Sequence, residues 1–264
     1  MEGMEKTSKM ALLIDGDNAQ AKLIGLIITE ASKYGKITIR RIYGDWTQQT
    51  MSKWKSLLND YAISPIQKFS YTTGKNSTDT ALIIDAMDIL HDQLVDGFCI
   101  VSSDSDYTGL AKRIREEGIF VLGIGEKKTP RAFVSSCDGF TFTETLMAEE
   151  ESEQKETEDG KKTHVRHASP KSATPKIDLP LVDKAFNMVV KENETAYLSE
   201  LGLGLRKLDP SFDHRNYGFH SLADLVRSLT DRYELLSKDI GGLRVYLVKK
   251  KTKDVNEPGR KSIN

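Results

Sequence analysis

Between Lys9 and Thr145 the chain alternates short, β-branched or continuously apolar runs with longer helix-like stretches, and this pattern constrains the fold more than any other. The segments MALLI, ITIRRIYG, FCIVSS, IFVLGIG and GFTFT read as strands, with a weaker one between Tyr61 and Gln67. A run that is apolar at every position is what a parallel strand buried on both faces requires. Helices are expected at Ala19–Tyr34, Thr50–Asp60, Thr78–Leu94 and Asp106–Glu117, with a short one at Pro130–Ser136. Strand–helix alternation points to an α/β fold, a parallel sheet covered by helices on both sides. Gly35, Gly97 and Gly118 each lie between a helix-like and a strand-like segment, where glycine commonly ends a helix.

Beyond Thr145 the composition changes. The stretch MAEEESEQKETEDGKKTHVRHASPKSATPK holds almost no large apolar residue. It cannot bury enough surface to offset its conformational entropy, so 147–177 is read as a flexible linker. Order resumes near Ile177, with an amphipathic helix at Leu181–Lys191 and further helices at Tyr197–Leu205 and His220–Leu229. Tyr233–Leu236 and Leu243–Val248 then flank Gly241-Gly242 as a two-stranded hairpin. Helices followed by a hairpin describe a small winged-helix-like module. The expected organisation is a domain at 9–146, the linker at 147–177, a second domain at 178–250 and a Lys-rich tail at 251–264.

Charge bears on the choice of partner. With 38 Lys and Arg against 39 Asp and Glu, whole-chain charge neither proposes nor excludes nucleic acid, and any basic patch must be local. Cys99 and Cys137 lack CxxC spacing and sit in apolar surroundings, as small core residues of a reducing compartment do. No apolar run approaches the length of a membrane span, and MEGMEKTSKM lacks a signal core. The expected location is cytoplasmic, without membrane association.

Five aspartates stand at strand ends or helix starts: Asp15 and Asp17 in ALLIDGDNA, Asp79 in GKNSTDTALII, and Asp104 and Asp106 in FCIVSSDSDYTGL. Loops at the carboxyl ends of parallel strands converge. Carboxylates gathered there repel one another unless a cation lies between them, and hard cations such as Mg²⁺ take oxygen ligands and often a phosphate. One helix cap would need one such residue; Asp15, Asp17 and Asn18 within four positions exceed that need, as do Asp104 and Asp106 with Ser102 and Ser103. Asp85, Asp88 and Asp92 share a helix stripe and read as solvated. Asp79 falls instead beside Leu82, Ile83, Ala86 and Leu90, at the head of the apolar face, where a carboxylate needs compensation. A sheet that reverses strand order between β-runs MALLI and FCIVSS would bring Asp15 and Asp104 into one crevice.

Other signals are weaker. IFVLGIGEKKTP is not GxGxxG and opens no long helix, which argues against a dinucleotide site. Its Lys127, Lys128 and Arg131, with Lys75 and Asn76, suit a phosphate backbone or plain solvation equally. His164 and His167 lack the cysteine neighbours of a zinc site. Tyr43 and Trp46 suit base stacking, but aromatic residues at a strand end more often belong to the core.

IDGDN, KNSTDTALIIDAM, VSSDSDYTGL and GEKKTP resemble the signature segments of the NYN family, in the PIN-like nuclease superfamily, with the bacterial, limkain-type branch closest. The stretch NYGF-x-SL-x-DL at Asn216–Leu225 resembles the OST-HTH or LOTUS domain. The resemblance implies a three-layer, PIN-like (Rossmann-like) domain with a mostly parallel sheet. It implies Mg²⁺ or Mn²⁺ held by Asp15, Asp79, Asp104 and Asp106, with Asn18 and Ser102 in support. It further implies a ribonuclease acting on single-stranded RNA by in-line hydrolysis to 5′-phosphate and 3′-hydroxyl ends, and a LOTUS domain that binds RNA or a protein partner. Where many relatives carry proline or a bulky residue, this sequence has Gly109. Two rivals are a PIN-like platform that binds without cutting, and an aspartyl-phosphate phosphatase. DGD matches the DxD start of the latter, but the following threonine and the later lysine segment are missing.

The linker composition yields a direct expectation. Limited proteolysis cuts between 149 and 176 and releases two folded fragments, read by mass spectrometry; resistance across that whole stretch would show that it docks on a domain.

Overall fold

The computed structural model describes residues 8–68, 77–158, 176–191 and 193–251. They divide into two compact units, with residues 209–213 grouped with the N-terminal one. The N-terminal unit is built on a six-stranded sheet of β1 (Lys9–Asp15), β2 (Lys36–Gly44), β3 (Ser64–Gln67), β4 (Gly97–Val101), β5 (Phe120–Gly125) and β6 (Gly139–Phe142). Every pairing is parallel and the spatial order is β3-β2-β1-β4-β5-β6. The order therefore reverses between β1 and β4, which pair from Met10 with Gly97 to Ile14 with Val101. The expected switch point is present, with Asp15 at one lip and the turn after Val101 at the other.

Helices α1 (Ile24–Ser32), α2 (Lys55–Asp60) and α6 (Thr143–Glu158) serve one face; α3 (Ser77–His91), α4 (Thr108–Glu116) and α5 (Arg131–Ser136) serve the other. Strand β1 feeds both: Met10, Leu12 and Ile14 join one core, Ala11 and Leu13 the other. Side chains alternate faces along a strand, so Asp15 falls in phase with Ala11 and Leu13, on the side of α3 and α4. Helix α4 runs regularly through Gly109, where an added Cβ would meet open space.

Helix α3 buries Leu82, Ala86 and Ile89, with Leu82 and Ile89 each contributing roughly 1.5–3 kcal/mol. Asp79 lies on the same side, in the first turn. Asp85 departs from the solvated stripe expected for it: it accepts hydrogen bonds from Arg41 and from the buried Tyr43 hydroxyl, tying α3 to β2. A register shift opposite Met10 and Ala11 makes this possible. It lets Ile37 join one core while Ile39 and Tyr43 join the other. Tyr43 is thus core, and Trp46 packs against the opposite core with its indole N–H donating to the Ile66 carbonyl.

Some expectations need correction. Of the three cap glycines only Gly118 has a left-handed backbone, φ +74. After α3 that role falls to Gln93 at φ +51, while Gly97 is a strand residue whose Cβ would come within 2.5 Å of the Met10 sulfur. The flexible linker was expected from residue 147, yet α6 continues to Glu158. Its sequence is dense in Glu, a good helix former, with Glu144 in the first turn where the helix dipole favours an anion. His164 and His167 lie outside the described residues. Cys99 and Cys137 are buried and free, and no described helix is long and apolar enough to cross a membrane.

The C-terminal unit packs α7 (Leu179–Val189), α8 (Leu198–Leu208) and α9 (Leu222–Ser228) with β7 (Thr195–Tyr197), β8 (Tyr233–Ile240) and β9 (Leu243–Lys250). Its sheet is three-stranded and antiparallel, β7-β9-β8, not the two-stranded hairpin the sequence suggests. The missed strand is only three residues long, too short for a period-two signal. The hairpin turn is as expected: Ile240 pairs with Leu243 across Gly241 and Gly242, at φ +62 and +84. In the Asn216–Leu225 segment Gly218 takes φ +79 and Ser221 caps α9 by accepting the Asp224 N–H.

Asp183 on α7 links this unit together. It accepts from the Tyr233 hydroxyl at 2.6 Å and from Arg232 at 2.8 Å, and pairs with Lys250 at 2.8 Å. Burial opposes its charge, but the Lys250 and Tyr233 hydrogen bonds outweigh burial and hold its pKa below the ordinary 3.8. A lowered carboxyl pKa stabilises the fold fully above about 3.8, and that stabilisation fades as pH falls through the folded-state value. Asp183→Asn is accordingly expected to lose about 1–2 kcal/mol at neutral pH, seen as faster amide exchange in α7, β8 and β9. The difference from wild type should shrink in acid.

Candidate active site

At the switch point the chain leaves β1 through Asp15 and turns at once. Gly16 permits the turn: its N–H donates to the Tyr43 carbonyl at 2.9 Å, and a Cβ would come within 2.8 Å of that oxygen. Asp15 is fully buried. One carboxylate oxygen accepts the backbone N–H groups of Asp17 and Asn18 at 3.2 and 3.4 Å. The other accepts the Asn18 side-chain amide at 2.7 Å and the Ser102 hydroxyl at 2.8 Å. Burial raises the Asp15 pKa and Asp79 adds to the rise, while Asn18 and Ser102 act against it.

Ser102 carries the arrangement across to β4. Its oxygen accepts the Asp104 N–H at 3.0 Å, and Asp104 accepts the Asp106 N–H at 2.9 Å. Asp104 thereby caps a single 3₁₀ turn, Ser105–Tyr107, that leads into α4. The cap and a role in the site coexist, because the cap occupies one carboxylate oxygen of two. From α3, Asp79 reaches the same place. Asp79, Asp104 and Asp106 each present a carboxylate oxygen, and these oxygens lie within 4.8 Å of one another.

Asp15 is not a member of that group among the described residues. Four carboxylates were expected to share the site; the oxygens of three lie this close together. Asp15 lies close enough to Asp79 for the two charges to interact, but its own oxygens are engaged by four hydrogen bonds, as burial demands. Asn18 and Ser102 both hydrogen-bond Asp15.

The donor set suits a hard divalent cation, which takes carboxylate oxygen in preference to nitrogen or sulfur. The charge on Asp79 is under stress without one. Burial raises its pKa, and Asp104, Asp106 and Asp17 raise it further against a lowering hydrogen bond from Tyr107. The nearby charges are the kind of repulsion a shared cation relieves.

Tyr107 is the residue that sequence reasoning passed over. It is fully buried and donates its hydroxyl to Asp79 at 2.8 Å. Its one signal was its place directly after the SDSD acids, where an aromatic residue reads as simple core.

The cations proposed for phosphate, Lys127, Lys128 and Arg131, follow β5 at the same carboxyl end of the sheet. The Glu126 N–H donates to the Ser103 hydroxyl at 2.9 Å, binding the turn after β5 to the Asp104 turn. Lys127, Lys128 and Arg131 are exposed there. Lys128 pairs with Glu126 at 2.8 Å, and the Lys127 N–H donates to Glu144 at 3.0 Å. Lys75 and Asn76 lie outside the described residues.

Comparison with known proteins agrees with this architecture. The NYN domain family model matches residues 9–146, and the OST-HTH/LOTUS domain model matches residues 179–245. No curated protein matches the chain. Among solved structures, a protein of unknown function from Vibrio parahaemolyticus is 19% identical, covering 52% of this chain and 94% of its own with a TM-score of 0.44. An uncharacterized protein from Nitrosomonas europaea is 22% identical, covering 38% of this chain and 98% of its own with a TM-score of 0.32. With more than half of its length matched by that model, the chain belongs to the NYN domain family, within the PIN-like nuclease superfamily, and carries an OST-HTH/LOTUS domain after it.

Proposed function

We propose that the protein is a metal-dependent ribonuclease that cleaves phosphodiester bonds of single-stranded RNA, using Mg²⁺ or Mn²⁺, with its LOTUS domain holding RNA or a protein partner. The observation that carries this reading is the convergence of Asp79, Asp104 and Asp106 at the switch point of an NYN domain. These three carboxylates would hold the cation. When bound, such a cation supplies a lowered pKa for water and stabilisation of the charge that builds on the phosphoryl group.

The chain's own residues set the geometry. Ser102 fixes the backbone of Asp104 against buried Asp15, and the Asp104 cap fixes the backbone of Asp106. Lys127, Lys128 and Arg131 are exposed cations available to phosphate oxygens, contacts that position a backbone without reading its sequence, and the sequence offers Lys75 as a further candidate. The LOTUS domain, on the same chain, raises the local concentration of whatever it holds. Asp15 is unsuited to a phosphoaspartate mechanism, because a buried carboxylate with both oxygens hydrogen-bonded offers no free nucleophile.

Asp104→Asn tests the reading. Asparagine caps as well as aspartate, so the fold persists while labelled single-stranded RNA is cut at least about 100-fold more slowly with Mn²⁺ or Mg²⁺. RNA binding survives in part. Cutting at the wild-type rate would leave Asp104 a cap alone, and wild-type binding without cutting would favour a non-cleaving adaptor.

Cation binding has its own signature. In chelator, Asp106→Asn raises the thermal midpoint, because one of three crowded charges is gone. Millimolar Mn²⁺ then raises the wild-type midpoint and moves the variant's little. A wild-type midpoint indifferent to Mn²⁺ and Mg²⁺ would remove the metal from the proposal.

A further inference from the structure

We propose that Tyr107 is a positioning residue for the cation: its hydroxyl orients Asp79 toward Asp104 and Asp106. The inference deepens the metal-dependent reading above and rests on it.

Three observations carry it. The first is placement within one turn. Asp104 and Asp106 sit at partly and fully exposed positions, and the next residue, Tyr107, turns completely inward. A single 3₁₀ turn therefore supplies two of the grouped acids and the phenol that grips the third. The second is the contact. Asp79 and Tyr107 are 28 residues apart on different helices, and the 2.8 Å hydrogen bond joins the start of α3 to the start of α4. Asp79 is only partly buried, so without this bond its carboxylate could rotate about its side-chain bonds. With one oxygen held by a buried donor, the other is left with a restricted direction. The third is the ring's own anchoring. Tyr107 belongs to the core on the α3–α5 face and lies 6.3 Å from the Phe133 ring, so the donor cannot follow Asp79 if it moves. Losing a hydrogen bond that orients a metal ligand from behind typically costs about 10–100-fold in metal affinity or activity.

Tyr107→Phe removes the hydroxyl and keeps the buried ring. The full-length chain, stripped with chelator, is titrated with Mn²⁺ alone by calorimetry, with circular dichroism confirming the fold. The expected result is a weakening of Mn²⁺ binding by about tenfold or more, with RNA cleavage recovering toward the wild-type maximum as Mn²⁺ is raised. A smaller change in affinity overturns the proposal, since a purely structural tyrosine would lower the thermal midpoint and leave Mn²⁺ affinity alone. A double-mutant cycle gives a second reading on the same protein. If Tyr107 acts through Asp79, the phenylalanine has no further effect on Mn²⁺ affinity in an Asp79→Asn background; additive losses overturn it. Failure of the wild-type chain to bind Mn²⁺ at all marks the loss of the metal-dependent reading itself, whereas wild-type binding with unaltered affinity in Tyr107→Phe marks the loss of this inference alone.

Discussion

The hydroxyl of Ser102 stands between two carboxylate-bearing segments and uses both of its capacities. It donates to buried Asp15 and accepts from the Asp104 backbone. A charge sealed at the end of a central strand is costly unless hydrogen-bonded, so Asp15 needs this donor. A turn that must start in a fixed direction needs the acceptor. One small side chain meets both needs, and the order of hydrogen bonds from Asp15 through Ser102 to Asp104 and Asp106 follows from it. An alanine there would leave Asp15 short of a donor and the Asp104 turn without its tether.

The third acid is placed by different means. Asp79 depends on where α3 lies, and α3 is held at two levels. Leu82, Ala86 and Ile89 pack on the sheet, and Asp85 is gripped by Arg41 and Tyr43 from β2. Tyr107 then joins the head of α3 to the α4 entrance. The acidic group is thus assembled from two rigid supports, which is how a site of like charges keeps its geometry against repulsion.

Each unit carries its own polar organiser. In the C-terminal unit Asp183 draws together α7, the start of β8 and the end of β9 through Tyr233, Arg232 and Lys250. The Phe186 and Tyr233 rings, 5.4 Å apart, pack beside it.

The sequence by itself determined the strand and helix order, because uninterrupted apolar runs and amphipathic stretches have different periods. It also determined which ends of the strands carry carboxylates, and that Asp79 heads an apolar helix face. The signature segments of both domains were readable for the same reason: turns, caps and charged loop residues are local. Only the tertiary structure decided that Asp15 stands behind the acidic group, since burial of a strand end depends on what packs over it. It decided that Asp85 serves Arg41 and Tyr43, because a register shift in β2 turned those side chains toward α3. It decided that α6 continues into acid-rich sequence and that three residues at Thr195–Tyr197 complete a sheet. And it decided that Tyr107 reaches Asp79, a contact between helices that no spacing along the chain can express.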